Sequence, residues 1–177
     1  MKIVVLTGSP HRSGTSAYLT DEFIRGAKEV GHEVERFDGA FLKVHPCIAC
    51  EKCHTGDTGC VFKDDMMAIH EALIAADAVV LSSPIYYYGI NAQLKTMLDR
   101  VYARNEEIRH GKKAALLLTM ADDIPESGES SEHWFRNYTK YMDWENAGVV
   151  AATSSWTKDA LLETDFPEKA YQLGKGF

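Results

Sequence analysis

Four cysteines fall in one short stretch, Cys47-Ile48-Ala49-Cys50-Glu51-Lys52-Cys53 and then Cys60, and the rest of the chain has none. Three thiolates at C-x2-C-x2-C spacing can wrap one side of a cubane iron-sulfur cluster while a fourth closes it, and tetrahedral zinc takes the same donors. Reduced thiols in a structured loop, or disulfides, are the alternatives. In a reducing compartment, such a cluster points to metal or redox chemistry more than to structural cross-links.

Two other stretches are equipped to hold a ligand. Thr7-Gly8-Ser9-Pro10-His11-Arg12-Ser13-Gly14-Thr15-Ser16 follows a short apolar run and precedes a helical pattern. Its glycines let backbone N-H groups turn inward, its hydroxyls donate, and the helix behind it aims its positive end at the same place, which together make a phosphate cradle. The loop has neither the Gly-Lys-Ser/Thr ending of a nucleoside-triphosphate loop nor dinucleotide-fingerprint spacing, so a phosphomonoester fits best. The second stretch is Ser82-Ser83-Pro84-Ile85-Tyr86-Tyr87-Tyr88-Gly89-Ile90-Asn91. Three consecutive tyrosines after a buried strand cannot all enter the core, so at least one ring is free for a flat ligand or a subunit contact. Pro84 stiffens the loop and Gly89 permits close backbone approach. A phosphate cradle beside an aromatic platform describes a site for flavin mononucleotide (FMN).

The elements that must position these loops follow from the hydrophobic pattern. Lys2 to Leu6 reads as an apolar strand buried on both faces, Ala78 to Leu81, Lys113 to Met120 and Ala147 to Thr153 read as further strands, and Glu33 to Phe37 alternates as an edge strand would. Helices are expected over Thr15 to Val30, from Asp64-Asp65 to Asp77 with Met67, Ile69, Leu73 and Ile74 as apolar contacts, over Asn91 to Ala103, Ser131 to Trp144 and Pro167 to Leu173. Alternation of this kind predicts an α/β fold with a five-stranded parallel sheet and helices on both faces, its ligand site beyond the carboxyl ends of the strands. Residues 1–177 read as one domain, with a cysteine-containing loop over about 39–63.

Composition narrows the partners. The chain has 177 residues, 26 acidic against 19 Lys and Arg, and a formal charge of -7, which argues against nucleic acid or a membrane surface as a general partner. The N-terminal apolar run is too short for a signal core or a membrane span, so a cytoplasmic location is expected. The seven histidines show no metal-ligand spacing. A receiver domain would need an Asp where Ser82-Ser83 stand, and a low-molecular-weight tyrosine phosphatase would need a Cys in the first loop.

The segments from Gly8-Ser9-Pro10 to Ser16, and from Ser83-Pro84-Ile85-Tyr86-Tyr87-Tyr88-Gly89 through Ala92-Gln93-Leu94-Lys95 to Leu98-Asp99-Arg100, resemble those of NAD(P)H-dependent FMN reductase-like flavoproteins of the flavodoxin superfamily. The resemblance covers residues 1 to about 102. It implies a flavodoxin-like sandwich of strand order 2-1-3-4-5, bound FMN, NAD(P)H as cosubstrate, and a homodimer or larger homo-oligomer with the flavin near the subunit boundary. Carried over by position, Ser9, Arg12, Ser13, Gly14, Thr15 and Ser16 would surround the phosphate. Pro84, Ile85, Tyr86, Tyr87, Tyr88 and Gly89 would hold the ring, and Thr119 and Met120 would meet its edge. His11 stands where similar sequences carry a basic residue.

The cysteine motif, with Asp64-Asp65-Met66 and Ile69-His70-Glu71, is similar to the iron-sulfur flavoprotein branch, whereas Tyr86-Tyr87-Tyr88-Gly89 looks more like the simpler oxidoreductases. The leading expectation is an FMN oxidoreductase passing reducing equivalents from NAD(P)H to a small acceptor such as a quinone, a nitroaromatic or a flavin. No protein side chain is then a catalytic acid, base or nucleophile. The alternatives are an iron-sulfur flavoprotein exchanging electrons between FMN and a 4Fe-4S cluster held by Cys47, Cys50, Cys53 and Cys60, working with a redox protein, and a non-enzymatic FMN-binding regulatory module.

Overall fold

A computed structural model describes residues 1–55, 59–124 and 126–177. Strand β1 (Lys2–Thr7) runs through the middle of the molecule, and its side chains divide by period two. Ile3 and Val5 enter the core on one face, Val4 and Leu6 the core on the other, and all four are fully buried. It pairs in parallel with β2 (Glu33–Asp38) on one side and β3 (Ala78–Tyr86) on the other; β5 (Lys113–Thr119) and β6 (Glu145–Ala152) continue the sheet. The order is β2-β1-β3-β5-β6, the flavodoxin-like order expected.

The count of five needs a correction. A sixth strand, β4 (Gly89–Ile90), folds back antiparallel on the end of β3. The tyrosine stretch read as a loop is therefore the end of a long strand and a tight hairpin, with Ser82 and Ser83 buried inside the strand.

Helices α1 (Thr15–Glu29), α7 (Lys158–Leu162) and α8 (Phe166–Lys175) share one core with Ile3 and Val5 through Leu19, Phe23, Leu161 and Ala170. Helices α3 (Met66–Ala75), α4 (Ala92–Val101), α5 (Asn105–Ile108) and α6 (Glu126–Met142) cover the opposite face. In α3 the inward residue is Met66 rather than Met67, which is 51% exposed, because Met66, Ile69 and Leu73 recur at the helical period. Helix α6 begins five residues before the expected Ser131, since Ser127 and Gly128 are already buried in its first turn. α1 and α8 cross so closely that a Cβ on Gly26 would lie 2.1 Å from the Tyr171 carbonyl oxygen, and one on Gly174 2.1 Å from that of Phe23.

Between β2 and α3 the described chain has a 3-10 turn (Gly39–Phe41) and a one-turn helix, α2 (Lys52–Thr55), and no longer element; residues 56–58 of the expected cysteine loop lie outside those described. Among the described residues, no helix is long and apolar enough to cross a membrane.

Candidate functional site

The carboxyl ends of β1, β3, β5 and β6 open onto one groove of about 630 Å3. Ser9, Ser13, Gly14, Thr15 and Ser16 line it from the first loop, Pro84, Ile85 and Tyr86 from β3, and Thr119 and Met120 from β5. Local hydrogen bonds give these walls their shape. Ser9 is buried, and its hydroxyl accepts from the His11 N-H at 3.3 Å, curling the loop onto itself. The Ser16 and Thr119 hydroxyls meet at 2.6 Å, so the start of α1 is fastened over the end of β5. Thr20 Oγ1 donates to Ser82 Oγ or to the Ser16 carbonyl, both at 2.7 Å, one turn farther in.

Asn91 joins the first loop to the second. Its Nδ2 donates to the Gly8 carbonyl at 2.5 Å, its N-H donates to Ser83 Oγ at 2.9 Å, and its Oδ1 caps α4 by accepting from Leu94 N-H at 3.4 Å. Gly8 is required for that approach, because a Cβ there would sit 1.9 Å from Asn91 Oδ1.

Other expected residues lie off the groove. The Arg12 guanidinium stacks 3.6 Å over the Phe41 ring. Tyr87 and Tyr88 form the two-residue turn between β3 and β4, with φ of 49° and 64°, and are 102% and 64% exposed. Gly89 pairs with Tyr86 across that hairpin, and Ser130 Oγ of α6 donates to the Tyr88 carbonyl.

A fourth wall was missed from the sequence: Ser155, Trp156 and Lys158, after β6, with His11 and Ala121 completing the lining. The available signal was Ser154-Ser155-Trp156-Thr157 at the carboxyl end of a fifth parallel strand, where ligand loops are expected. Lys158 and His11 are the ionisable groups other than tyrosine among the lining residues, and among the described residues no carboxylate lines the groove, although the chain carries a net charge of -7. A positive helix start and a lysine without lining carboxylates among the described residues are the features that suit such a groove to an anion.

All four cysteines border a second hollow, at the far end of α4. Cys47 and Cys50 are exposed, Cys53 and Cys60 half-buried, and burial pushes the Cys53 thiol above its usual range. The hollow measures about 20 Å3, room for about one water. Among the described residues, no group of three or more His, Cys, Asp or Glu is gathered closely enough to hold a metal ion.

Behind the thiols lies Arg100, 2% exposed. Its Nη1 donates to Asp64 Oδ2 and to the His45 carbonyl, both at 2.8 Å, and its Nη2 to Asp64 Oδ1 at 3.1 Å. Burial opposes the charge on this guanidinium, but Asp64 and then Cys60 more than offset it, and its basicity rises. Arg100 Nε is buried without a hydrogen-bond partner. Four thiols border this hollow with a buried cation behind them, the donor types of a thiolate-ligated cluster, but among the described residues they are not gathered closely enough to hold one. Asp64, placed by the sequence at the start of α3, accepts from the Met66 N-H at 3.2 Å as well as from Arg100.

The sequence matches the NADPH-dependent FMN reductase family over residues 1–156. The chain belongs to that family. An iron-sulfur flavoprotein of Methanocaldococcus jannaschii is 35% identical over 115 residues, 63% of this chain and 58% of the relative. One of Methanosarcina thermophila is 36% identical over 100 residues, 56% of this chain and 52% of the relative. The chain spans about half the length of the curated relatives it matches. Among solved structures, the NAD(P)H:quinone oxidoreductase of Methanothermobacter marburgensis superposes with a TM-score of 0.78 at 18% identity, covering 99% of this chain and 94% of that one, a likeness of fold.

Proposed function

We propose that the chain is an FMN-dependent oxidoreductase that takes hydride from NAD(P)H and reduces a small acceptor such as a quinone, a nitroaromatic or a free flavin. The observation that carries this reading is the groove where the hydroxyl loop, the start of α1 and the Tyr86 wall meet, lined by no carboxylate among the described residues. Ser9, Ser13, Thr15 and Ser16 with the first N-H groups of α1 would hold the phosphate, and Pro84, Ile85, Tyr86, Thr119 and Met120 the ring. FMN, when bound, supplies the hydride and electron chemistry. The residues around it orient: Asn91 keeps the two loops at fixed separation, and the Ser16–Thr119 contact sets the depth of the cradle. Nicotinamide and acceptor use the open side of the groove in turn, and the bare Tyr87 and Tyr88 rings are available to a second copy of the chain in a homodimer working in the cytoplasm.

A second reading rests on the spacing of the cysteines. Cys47, Cys50, Cys53 and Cys60 would ligate a 4Fe-4S cluster, and the protein would then exchange electrons with a redox partner. The names of the M. jannaschii and M. thermophila relatives are consistent with it.

Anaerobic mixing of the FMN-loaded protein with NADH and with NADPH tests the first reading: flavin absorbance should bleach within seconds. Bleaching by reduced ferredoxin alone would favour the second, and flavin reduced by neither would leave a binding module. Iron and acid-labile sulfide in protein purified without air decide on the cluster, and light scattering on the eluted peak decides on the dimer.

A further inference from the structure

The phosphate cradle has hydroxyls and backbone N-H groups, but the cation in its own loop is engaged elsewhere. Arg12 lies flat on Phe41, outside the groove. A phosphomonoester carries close to two negative charges at neutral pH, so neutral donors alone would leave much of that charge uncompensated.

The wall after β6 supplies what is missing, and its backbone is fixed. Ser155 N-H donates to the Met120 carbonyl and Ser154 N-H to the Asp122 carbonyl, both at 2.8 Å, so this segment is clamped onto the loop that follows β5. Ser155 is buried, and Thr157 caps α7 by accepting from the Ala160 N-H at 3.2 Å. Two side chains between and beyond these anchors remain uncommitted. Trp156 is 80% exposed at the groove's rim. Lys158 forms no ion pair with any described residue, and its Nζ stands 4.4 Å from the ring centre of Tyr18, in the first turn of α1. A lysine resting on an aromatic ring beside a helix start keeps its charge near the place where that helix best receives an anion.

We propose that Lys158 is the cation that pairs with a phosphomonoester in this groove, the role that the sequence assigns to Arg12, and that Trp156 walls the same ligand. The inference rests on the groove's taking FMN and NAD(P)H. Two phosphates have the required chemistry, the 5′-phosphate of the flavin and the 2′-phosphate of NADPH, and one set of variants separates them.

Dissociation constants for FMN and for riboflavin, which lacks the phosphate, are measured by flavin fluorescence on the wild type, K158A, K158R and R12A, with KM for NADPH and NADH on the same proteins. If the flavin phosphate is the partner, K158A weakens FMN about tenfold or more, as loss of a charged hydrogen bond does. Riboflavin binding is unchanged, and K158R recovers most of the loss. If the NADPH phosphate is the partner, K158A raises KM for NADPH by a similar factor while NADH and both flavins are unaffected. K158A that alters neither the FMN-to-riboflavin nor the NADPH-to-NADH ratio overturns the assignment, as does a loss confined to R12A. A wild type that binds both flavins equally, with no preference between the nicotinamides, removes the phosphate pairing and leaves the flavin reading standing. A wild type that binds neither flavin removes both.

Discussion

A guanidinium as deeply buried as Arg100 is tolerable only because Asp64 meets it with both carboxylate oxygens. Asp64 in turn accepts from the N-H groups of His45 at 3.0 Å and Met66 at 3.2 Å. Arg100→Leu would leave that carboxylate buried and half-satisfied, and urea denaturation should register a loss of about 3–5 kcal/mol. The double variant Arg100→Leu/Asp64→Asn should lose clearly less than the sum of the singles, because the uncompensated charge is gone. His70 supports the same residue from behind: its Nε2-H donates to the Arg100 carbonyl at 2.8 Å, and burial pushes the imidazole below its ordinary value. The unfolded chain therefore takes up this proton at a higher pH than the native protein does. His70's contribution is complete above about pH 6.5 and is lost as pH falls from there toward the lower native value. His32, lowered by burial and by the N-terminal ammonium, adds a slope of the same sign. Unfolding free energy measured from about pH 7 to pH 5 should decline, and His70→Gln should flatten part of that decline; an unaltered slope would place the titration elsewhere.

At the scale of elements, the β3–β4 hairpin is built against its own preferences. A two-residue turn with positive φ at both positions is the one that Asn-Gly adopts at least cost, yet Tyr87 and Tyr88 occupy it. Holding two bulky side chains there costs roughly 1–2 kcal/mol each. Replacing the pair by Asn-Gly should therefore raise the midpoint of thermal unfolding while weakening whatever engages the exposed rings: acceptor KM should rise, or the proposed dimer should dissociate at higher concentration. A lower midpoint would mean that the rings pack more than their exposure indicates. This hairpin was not legible in the sequence because Tyr-Tyr carries no turn signal, and the buried serines before it read as the end of a strand. The inner strands of the sheet were legible because burial on both faces writes itself as continuous apolar runs, as in Ile3-Val4-Val5-Leu6 and Ala78-Val79-Val80-Leu81. The hydroxyl loop stood out for a similar reason, its glycines and hydroxyls being consecutive residues. Trp156 and Lys158 were not, since what brings them to the groove is hydrogen bonding between the loops after β5 and β6, a pairing of distant segments.

Across the whole molecule, α4 separates two chemically different ends. Asn91 at its start braces the loops of the anion groove, and Arg100 near its end backs the thiols, so about 13–14 Å of helix axis lies between them. The residues lining one hollow do not line the other. Changes at sites this far apart, with no shared partner, should act independently. Cys50→Ser/Cys53→Ser should therefore abolish any iron and acid-labile sulfide found in anaerobically purified protein while leaving the FMN dissociation constant and the rate of bleaching by NAD(P)H within about twofold of wild type. Conversely, Asn91→Ala removes a helix cap and leaves the Gly8 carbonyl unpaired, a loss of about 2–4 kcal/mol, and should weaken FMN without altering iron content. Loss of flavin in the cysteine variant would show instead that the cysteine loop takes part in the flavin site, and the protein would then have to be understood as one composite centre instead of two separable ones.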